Sequence, residues 1–186
     1  MLQNRNREKF IQAILYFAHN TVALGKVKLF KLLYLLDFEH FRQTGRSVTG
    51  LEYRAWKMGP VPSELVQEWD ELQDDLAAAI RIESRPVIDY ERQNVVPRID
   101  FDASHFSKRE LRLMEQVAAR YRGTLSGKMI DVTHAENGAW TKVWAEGEGR
   151  DRTIPYELAI ADDAPNREAV LQAAADYEAI EAARSA

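Results

Sequence analysis

The sequence predicts a mainly helical α+β domain with a small β-sheet or hairpin element. Two observations support this: apolar residues recur at helical spacing over most of the 186 residues, and two shorter stretches have the pattern of strands. The composition, 46% hydrophobic and 29% charged, is that of a folded globular protein. Because we find no internal repeat and no low-complexity linker, we predict a single domain over 1–186.

The first two predicted helices cover 5–20 and 26–43. The first has one apolar face, whereas the second is apolar around nearly its whole circumference, which is typical of a helix buried in a core. Gly45 follows the second helix and is a plausible C-cap. In this helix the lysines come before the acids, an order that opposes the helix dipole and sometimes marks a partner-binding surface.

A strand and a rigid turn come next. The alternation of Leu51, Tyr53 and Ala55 predicts a half-buried strand over 51–58. The segment 59–62 reads GPVP, and its two prolines fix φ and remove two backbone donors. We therefore predict that it forms a turn into the following helix.

The remaining elements are predicted from apolar stripes, caps and turn residues. Ser107 and Glu110 have the spacing of a capping box, so a helix should begin near residue 108. The other predictions are a helix over 63–81, a hairpin over 86–96 with its tip at 91–94, a short helix at 127–135, an aromatic turn segment at 137–144, a flexible charged loop at 146–153, an extended run at 154–158 and a last helix at 166–184.

Composition also restricts the environment. The absence of cysteine excludes disulfides and thiolate metal sites and is compatible with a reducing cytoplasm. The N-terminus lacks the form of a signal peptide. The longest apolar run, 32–36, is far shorter than the roughly 20 residues that span a bilayer. We therefore expect a cytoplasmic protein with no membrane partner.

Catalytic patterns are weak. Asp37 and His40 lie three residues apart on one helix face, and with His134 they suggest a metal-dependent hydrolase as an alternative. However, no HExxH, GxSxG, P-loop or GxGxxG motif occurs. We therefore predict a protein that is not an enzyme and that has no cofactor and no metal site.

Aromatic and basic residues near predicted turns are the candidates for a partner-binding surface, because such residues anchor protein interfaces. The alternative is that the tryptophans only cover the core. The candidates are Arg54, Trp56, Lys57, Met58, Trp140 and Trp144.

Charge is unevenly distributed along the chain. Residues 1–60 hold ten Lys or Arg and four Asp or Glu, whereas 61–186 hold 15 and 25. A basic N-terminal third suits an acidic partner or a nucleic acid, although a solvated surface whose charge is uneven is the simpler explanation. Because no Lys/Arg run of the kind used by nucleic-acid-binding arms is present, nucleic-acid binding is kept only as an alternative.

An ordered motif connects these features to a known family. Residues 28–40 read KLFKLLYLLDFEH, and they are followed by Thr44-Gly45 and by YRAWKMGPVP at 53–62. With a later Thr133-His134 and Trp140, this pattern resembles the SocA-like, or Panacea, antitoxin domain over about 5–145.

The resemblance implies a mostly helical fold with a small β element, a bacterial or prophage origin, and a role as antitoxin. Such an antitoxin would neutralise a toxin encoded next to it by direct binding. An alternative is an adaptor that presents a bound protein to a protease. The family pairs with different toxins, so the toxin's identity, the interface and the oligomeric state stay open. Residues 146–186, a loop and a helix, fall outside the resemblance.

Overall fold

The computed structural model describes residues 2–87, 90–135 and 138–185. In these ranges, eight α-helices and two antiparallel hairpins give the mainly helical α+β fold that the sequence predicts. No helix in the described ranges is long and apolar enough to cross a membrane. The elements are α1 Leu2–Asn20, α2 Lys26–Thr44, β1 Tyr53–Trp56, β2 Gly59–Pro62, α3 Ser63–Glu68, α4 Asp74–Ala79, β3 Ile80–Val87, β4 Tyr90–Pro97, α5 Lys108–Tyr121, α6 Ser126–Ala135, α7 Ala139–Trp144 and α8 Arg167–Ser185.

Helix α2 is the centre of the fold. It contacts α1, α5, α6, α8 and β2, and its buried residues extend over most of its length. The side chains of Leu29, Leu32, Leu33 and Leu36 are fully buried. Burying each of them stabilises the fold by roughly 1.5–3 kcal/mol. The prediction of a central helix is confirmed.

Lys28 explains part of the unusual charge order in α2. Its side chain is fully buried, and Nζ donates to the carbonyl oxygens of Val22 at 2.9 Å and Arg122 at 2.8 Å. These carbonyls lie just after the ends of α1 and α5, and that of Arg122 also accepts a hydrogen bond from the backbone N–H of Val22 at 2.9 Å. Lys28 therefore joins two helix ends and does not present its amine to a partner.

Asp37 ties α2 to the connector that follows it. Its buried carboxylate accepts hydrogen bonds from the backbone N–H groups of Val48 and Thr49, from the Thr49 hydroxyl and from the Tyr53 hydroxyl. Burial raises the pKa of Asp37, and these donors act against that rise. These hydrogen bonds fix the position of β1 relative to the central helix.

The predicted turn at 59–62 is wrong, because this segment is strand β2. Pro60 pairs with Ala55, and Pro62 pairs with Tyr53. The backbone groups of Tyr53 and Ala55 bond instead to residues 151–154 on the other side of β1. Proline is tolerated at these two positions of β2 because no hydrogen bond to β1 is needed there.

The predicted helix over 63–81 is also wrong as one element. It breaks into α3 and α4, and Ile80 begins β3. Arg7 holds the end of α3 by donating to both carboxylate oxygens of Glu68, at 2.5 and 2.8 Å. Glu68 also accepts a hydrogen bond from the backbone N–H of Gln73, which stabilises the chain where it leaves the helix.

The predicted hairpin is real but longer and displaced. β3 pairs with β4 from Ile80 opposite Pro97 to Val87 opposite Tyr90. The predicted tip at 91–94 therefore lies within β4, and residues 88–89 lie outside the described residues. The pairing of β3 with β4 along their whole length shows that cross-strand contacts outweigh the local preference of the polar residues 91–94 for a turn.

Two predicted helix boundaries are confirmed. Ser107 and Glu110 form the capping box, with both reciprocal hydrogen bonds present. Gly45 ends α2 with φ +72°, and its N–H donates to the carbonyl of Phe41. A Cβ at Gly45 would lie 2.6 Å from the carbonyl oxygen of Val170, so the glycine also permits the close approach of α8.

The C-terminal predictions need three corrections. The segment from Ala139 to Trp144 is helix α7 and not a turn, whereas residue 137 lies outside the described residues. Tyr156–Ala159 form a 3₁₀ turn in place of an extended run. The loop predicted to be flexible at 146–153 forms backbone hydrogen bonds with β1 through its last residues. Helix α8 begins and ends within one residue of the predicted bounds.

Candidate partner-binding groove

A groove separates the N-terminal half of α2 from the β1–β2 turn. Its volume is about 790 Å³, within the range of pockets that bind small molecules or partner side chains. It is lined by Lys26, Val27, Phe30, Lys31, Trp56, Lys57, Met58, Val61, Arg150 and Asp151. We call this feature the groove.

The β1–β2 turn forms one wall of the groove. Burial alternates along β1, so Tyr53 and Ala55 face the core and Trp56 faces outward. Trp56 is 43% exposed and Met58 is 58% exposed, although both are large and apolar. The indole Nε1 of Trp56 donates to Oδ1 of Asp151 at 3.0 Å, which orients the ring. The turn therefore exposes the apolar side chains of Trp56 and Met58, and a hydrogen bond to Asp151 fixes the orientation of Trp56.

The segment 150–154 supplies the neighbouring rim. Asp151 N–H donates to the carbonyl of Ala55 at 2.8 Å, and Ile154 N–H donates to the carbonyl of Tyr53 at 2.8 Å. Asp151 has φ +63°, a left-handed conformation that non-glycine residues seldom adopt. This pairing brings Arg150 and Asp151 to the groove, although they are distant from Trp56 in sequence.

Lys31 lies at the floor of the groove. Its side chain is 2% exposed, and Nζ donates to the carbonyl oxygen of Pro60 at 2.8 Å. Burial lowers the pKa of Lys31 to about 7. A Cβ at Gly59 would lie 2.9 Å from both Nζ of Lys31 and Oγ1 of Thr133, and φ there is +97°. Gly59 is therefore required where the turn crosses the amine.

A stack of rings supports the turn from behind. His134 stacks on Trp140 with centroids 3.7 Å apart, and Trp140 stacks on Trp144 at 5.6 Å. Nε1 of Trp140 donates to the carbonyl of Trp56 at 3.0 Å. Burial lowers the pKa of His134, and the nearby positive charge of Lys31 lowers it further. This stack links α6 and α7 to the turn.

The structure separates the predicted site residues into two groups. Trp56, Lys57 and Met58 line the groove. Arg54 lies beside it and contacts Glu52 and Asp151. Trp140 is 5% exposed and lies beneath the turn, with the partly buried Trp144 stacked on it.

Sequence reasoning missed seven lining residues. Four of them belong to the first half of α2, where the lysines precede the acids. That charge order was a usable signal for Lys26 and Lys31. Nothing local indicates Arg150 and Asp151, because long-range pairing with β1 brings them to the groove. The missed residues are Lys26, Val27, Phe30, Lys31, Val61, Arg150 and Asp151.

The residues suggested for a hydrolytic metal site have other partners. Asp37 accepts its four hydrogen bonds in the core, and His40 Nδ1 lies 2.7 Å from the carbonyl oxygen of Arg46. His134 stacks on Trp140. Within the described ranges, no cluster of three or more His, Asp or Glu side chains has the arrangement needed to hold a metal ion.

The comparisons with known proteins agree with the motif. The family described as antitoxin SocA-like, Panacea domain, matches residues 29–141, which is more than half of the chain. The match includes most of α2, the β1–β2 turn and Trp140, but not α1, Arg150, Asp151 or α8. No curated protein and no solved structure matches the chain. The chain therefore belongs to the SocA-like antitoxin, Panacea domain, family.

Proposed function

We propose that this protein is an antitoxin that neutralises a cognate toxin by direct binding, and that the groove is the contact surface. The observation that carries the proposal is the exposed pair Trp56 and Met58 on a turn held by hydrogen bonds, in a chain of an antitoxin family. Exposed large apolar residues next to cationic ones are typical of interface anchors. Action in the cytoplasm, on a toxin encoded by the adjacent gene of a bacterial or prophage locus, is part of this proposal.

The charge of the groove favours an acidic partner surface. Lys26, Lys57 and Arg150 line it together with Lys31. Asp151 is the acidic side chain among the described lining residues, and Trp56 and Arg54 already contact it. The net positive field should accelerate association with an acidic patch of the toxin.

Co-expression with the product of the adjacent gene tests the proposal. We expect the neighbouring product alone to stop growth, and this chain to restore growth and co-purify with it. A harmless neighbour that does not co-purify contradicts the proposal. Loss of the toxin in the presence of this chain, measured as a shorter half-life, would instead indicate the protease adaptor.

Groove variants test the surface. We expect Trp56→Ala to weaken binding by about 2–4 kcal/mol, or roughly 30-fold to several hundredfold in Kd, because it removes an aromatic anchor. Met58→Ala should also weaken toxin binding. Leu125→Ala is the matched control, since Leu125 is an apolar side chain that is 69% exposed and does not line the groove. Unchanged toxin affinity in both groove variants would place the interface elsewhere.

A further inference from the structure

Lys31 is an unusual residue for a core helix. Its amine is buried beneath the β1–β2 turn, and burial lowers its pKa; among the described residues, no carboxylate contributes to this shift. A lysine ammonium has three N–H donors. Among the described residues, the one hydrogen bond found for it is that to Pro60. The groove floor thus holds a buried amine whose capacity to donate hydrogen bonds is incompletely used.

The rest of the groove provides what an anion with an apolar neighbour would need. Lys26, Lys57 and Arg150 add positive charge around the rim. Phe30, Val61 and the exposed Met58 provide an apolar wall. Planar carboxylates accept strong charge-assisted hydrogen bonds from buried ammonium groups. The matching ligand is therefore a carboxylate attached to an aromatic or large aliphatic group.

We propose that the floor of the groove is a carboxylate-binding site, and that Lys31 pairs there with an Asp or Glu side chain which the toxin inserts beside a large apolar residue. The assignment of the carboxylate to the toxin rests on the proposed function. The site itself rests on the cavity, the buried amine and the basic rim. The carboxylate would accept further hydrogen bonds from the amine, and its negative charge would offset the cost of burying the protonated form.

A small probe tests the site without the toxin. We would label lysine side chains with ¹³C, assign the Lys31 signal by its absence in Lys31→Met, and titrate with 3-phenylpropionate. 3-Phenylpropionamide is the matched neutral probe. We expect saturable binding of the acid, a raised pKa of Lys31 in its presence, and binding of the amide that is at least about tenfold weaker. Equal binding of both probes, or no saturable binding of the acid, overturns the proposal.

Variants provide a second readout. Lys31→Met should bind the acid no better than the amide, whereas Lys31→Arg should keep part of the preference. Lys108→Met is an exposed control that should behave as the wild type. The pKa change of Lys31 in the wild-type protein keeps the test decisive even where a variant folds poorly.

The toxin complex then separates the two proposals. We expect one Asp→Asn or Glu→Gln change in the toxin to weaken binding as much as Lys31→Met does, with little further loss when both are combined. If Met58→Ala weakens the complex but the acid probe does not bind, the groove interface stands and the carboxylate site fails. If the acid probe binds and no groove variant affects the toxin, the site stands and the toxin assignment fails.

Discussion

At the residue scale, three polar side chains of α2 determine how the central helix meets its neighbours. Lys28 joins the ends of α1 and α5, Lys31 supports the β1–β2 turn, and Asp37 holds the connector and β1. Buried polar groups of this kind are tolerated because each has at least one partner. These three side chains therefore make buried contacts that position α2, and Lys31 also lines the groove.

The buried amine of Lys31 makes stability depend on pH. In the unfolded chain its pKa has the ordinary value of 10.5, and burial lowers it to about 7 in the folded protein. Between these values the unfolded state binds more protons. The free energy of unfolding should therefore rise with pH, by up to about 1.4 kcal/mol per pH unit from this group. Below pH 7 its contribution no longer changes.

We expect Lys31→Met to remove this slope. The variant should be more stable than the wild type near neutral pH, and the difference should shrink as pH rises toward 10.5, the ordinary pKa of lysine. Urea unfolding at several pH values measures it. Lys108→Met is the exposed control. If the free energy of unfolding changed with pH in the same way in the wild type and in Lys31→Met, the pH dependence would not come from the Lys31 amine.

At the element scale, the junction of α2 and α8 depends on one glycine. Gly45 has φ +72°, and a Cβ there would lie 2.6 Å from Val170 O and 2.7 Å from Ala174 N. Phe41, Ile160, Val170 and Ala174 form a separate buried cluster at this junction. Side chains at position 45 therefore strain the backbone and displace α8.

We expect Gly45→Ala to destabilise the protein by at least about 1–2 kcal/mol, because the left-handed conformation alone costs that much for a residue with a Cβ. Faster proteolysis within α8 should accompany the loss. Gly127→Ala in α6 is the matched control, since its Cβ would meet nothing within 4 Å. The same stability for both variants would show that α8 does not depend on this contact.

At the scale of the whole molecule, the fold extends beyond the matched residues 29–141. Residues 151–154 add backbone hydrogen bonds to the free side of β1. Tyr156 packs on Phe38 and Phe41, with ring centroids 4.7 and 5.3 Å apart, and its hydroxyl donates to the carbonyl of Leu51 at 2.6 Å. The C-terminal segment therefore completes the core around α2.

We expect removal of 145–186 to give a chain that no longer unfolds cooperatively, because Phe38 and Phe41 lose Tyr156 and β1 loses its second neighbour. Thermal unfolding and solubility measure the effect. Removal of 181–186 is the matched control, since Val170 and Ala174 remain. A truncated chain that unfolds as sharply as the full chain would show that the matched region folds by itself.

The sequence by itself determined the central helix, its glycine cap, the capping box of α5 and the family, because each depends on residues close together in the chain. It also indicated Trp56, Lys57 and Met58, since exposed aromatic and basic residues at a turn are a local pattern. Only the tertiary structure decided that 59–62 is a strand, that 63–81 divides into α3 and α4, and that Arg150 and Asp151 complete the groove. These features come from pairing and packing between distant segments, which override local preference.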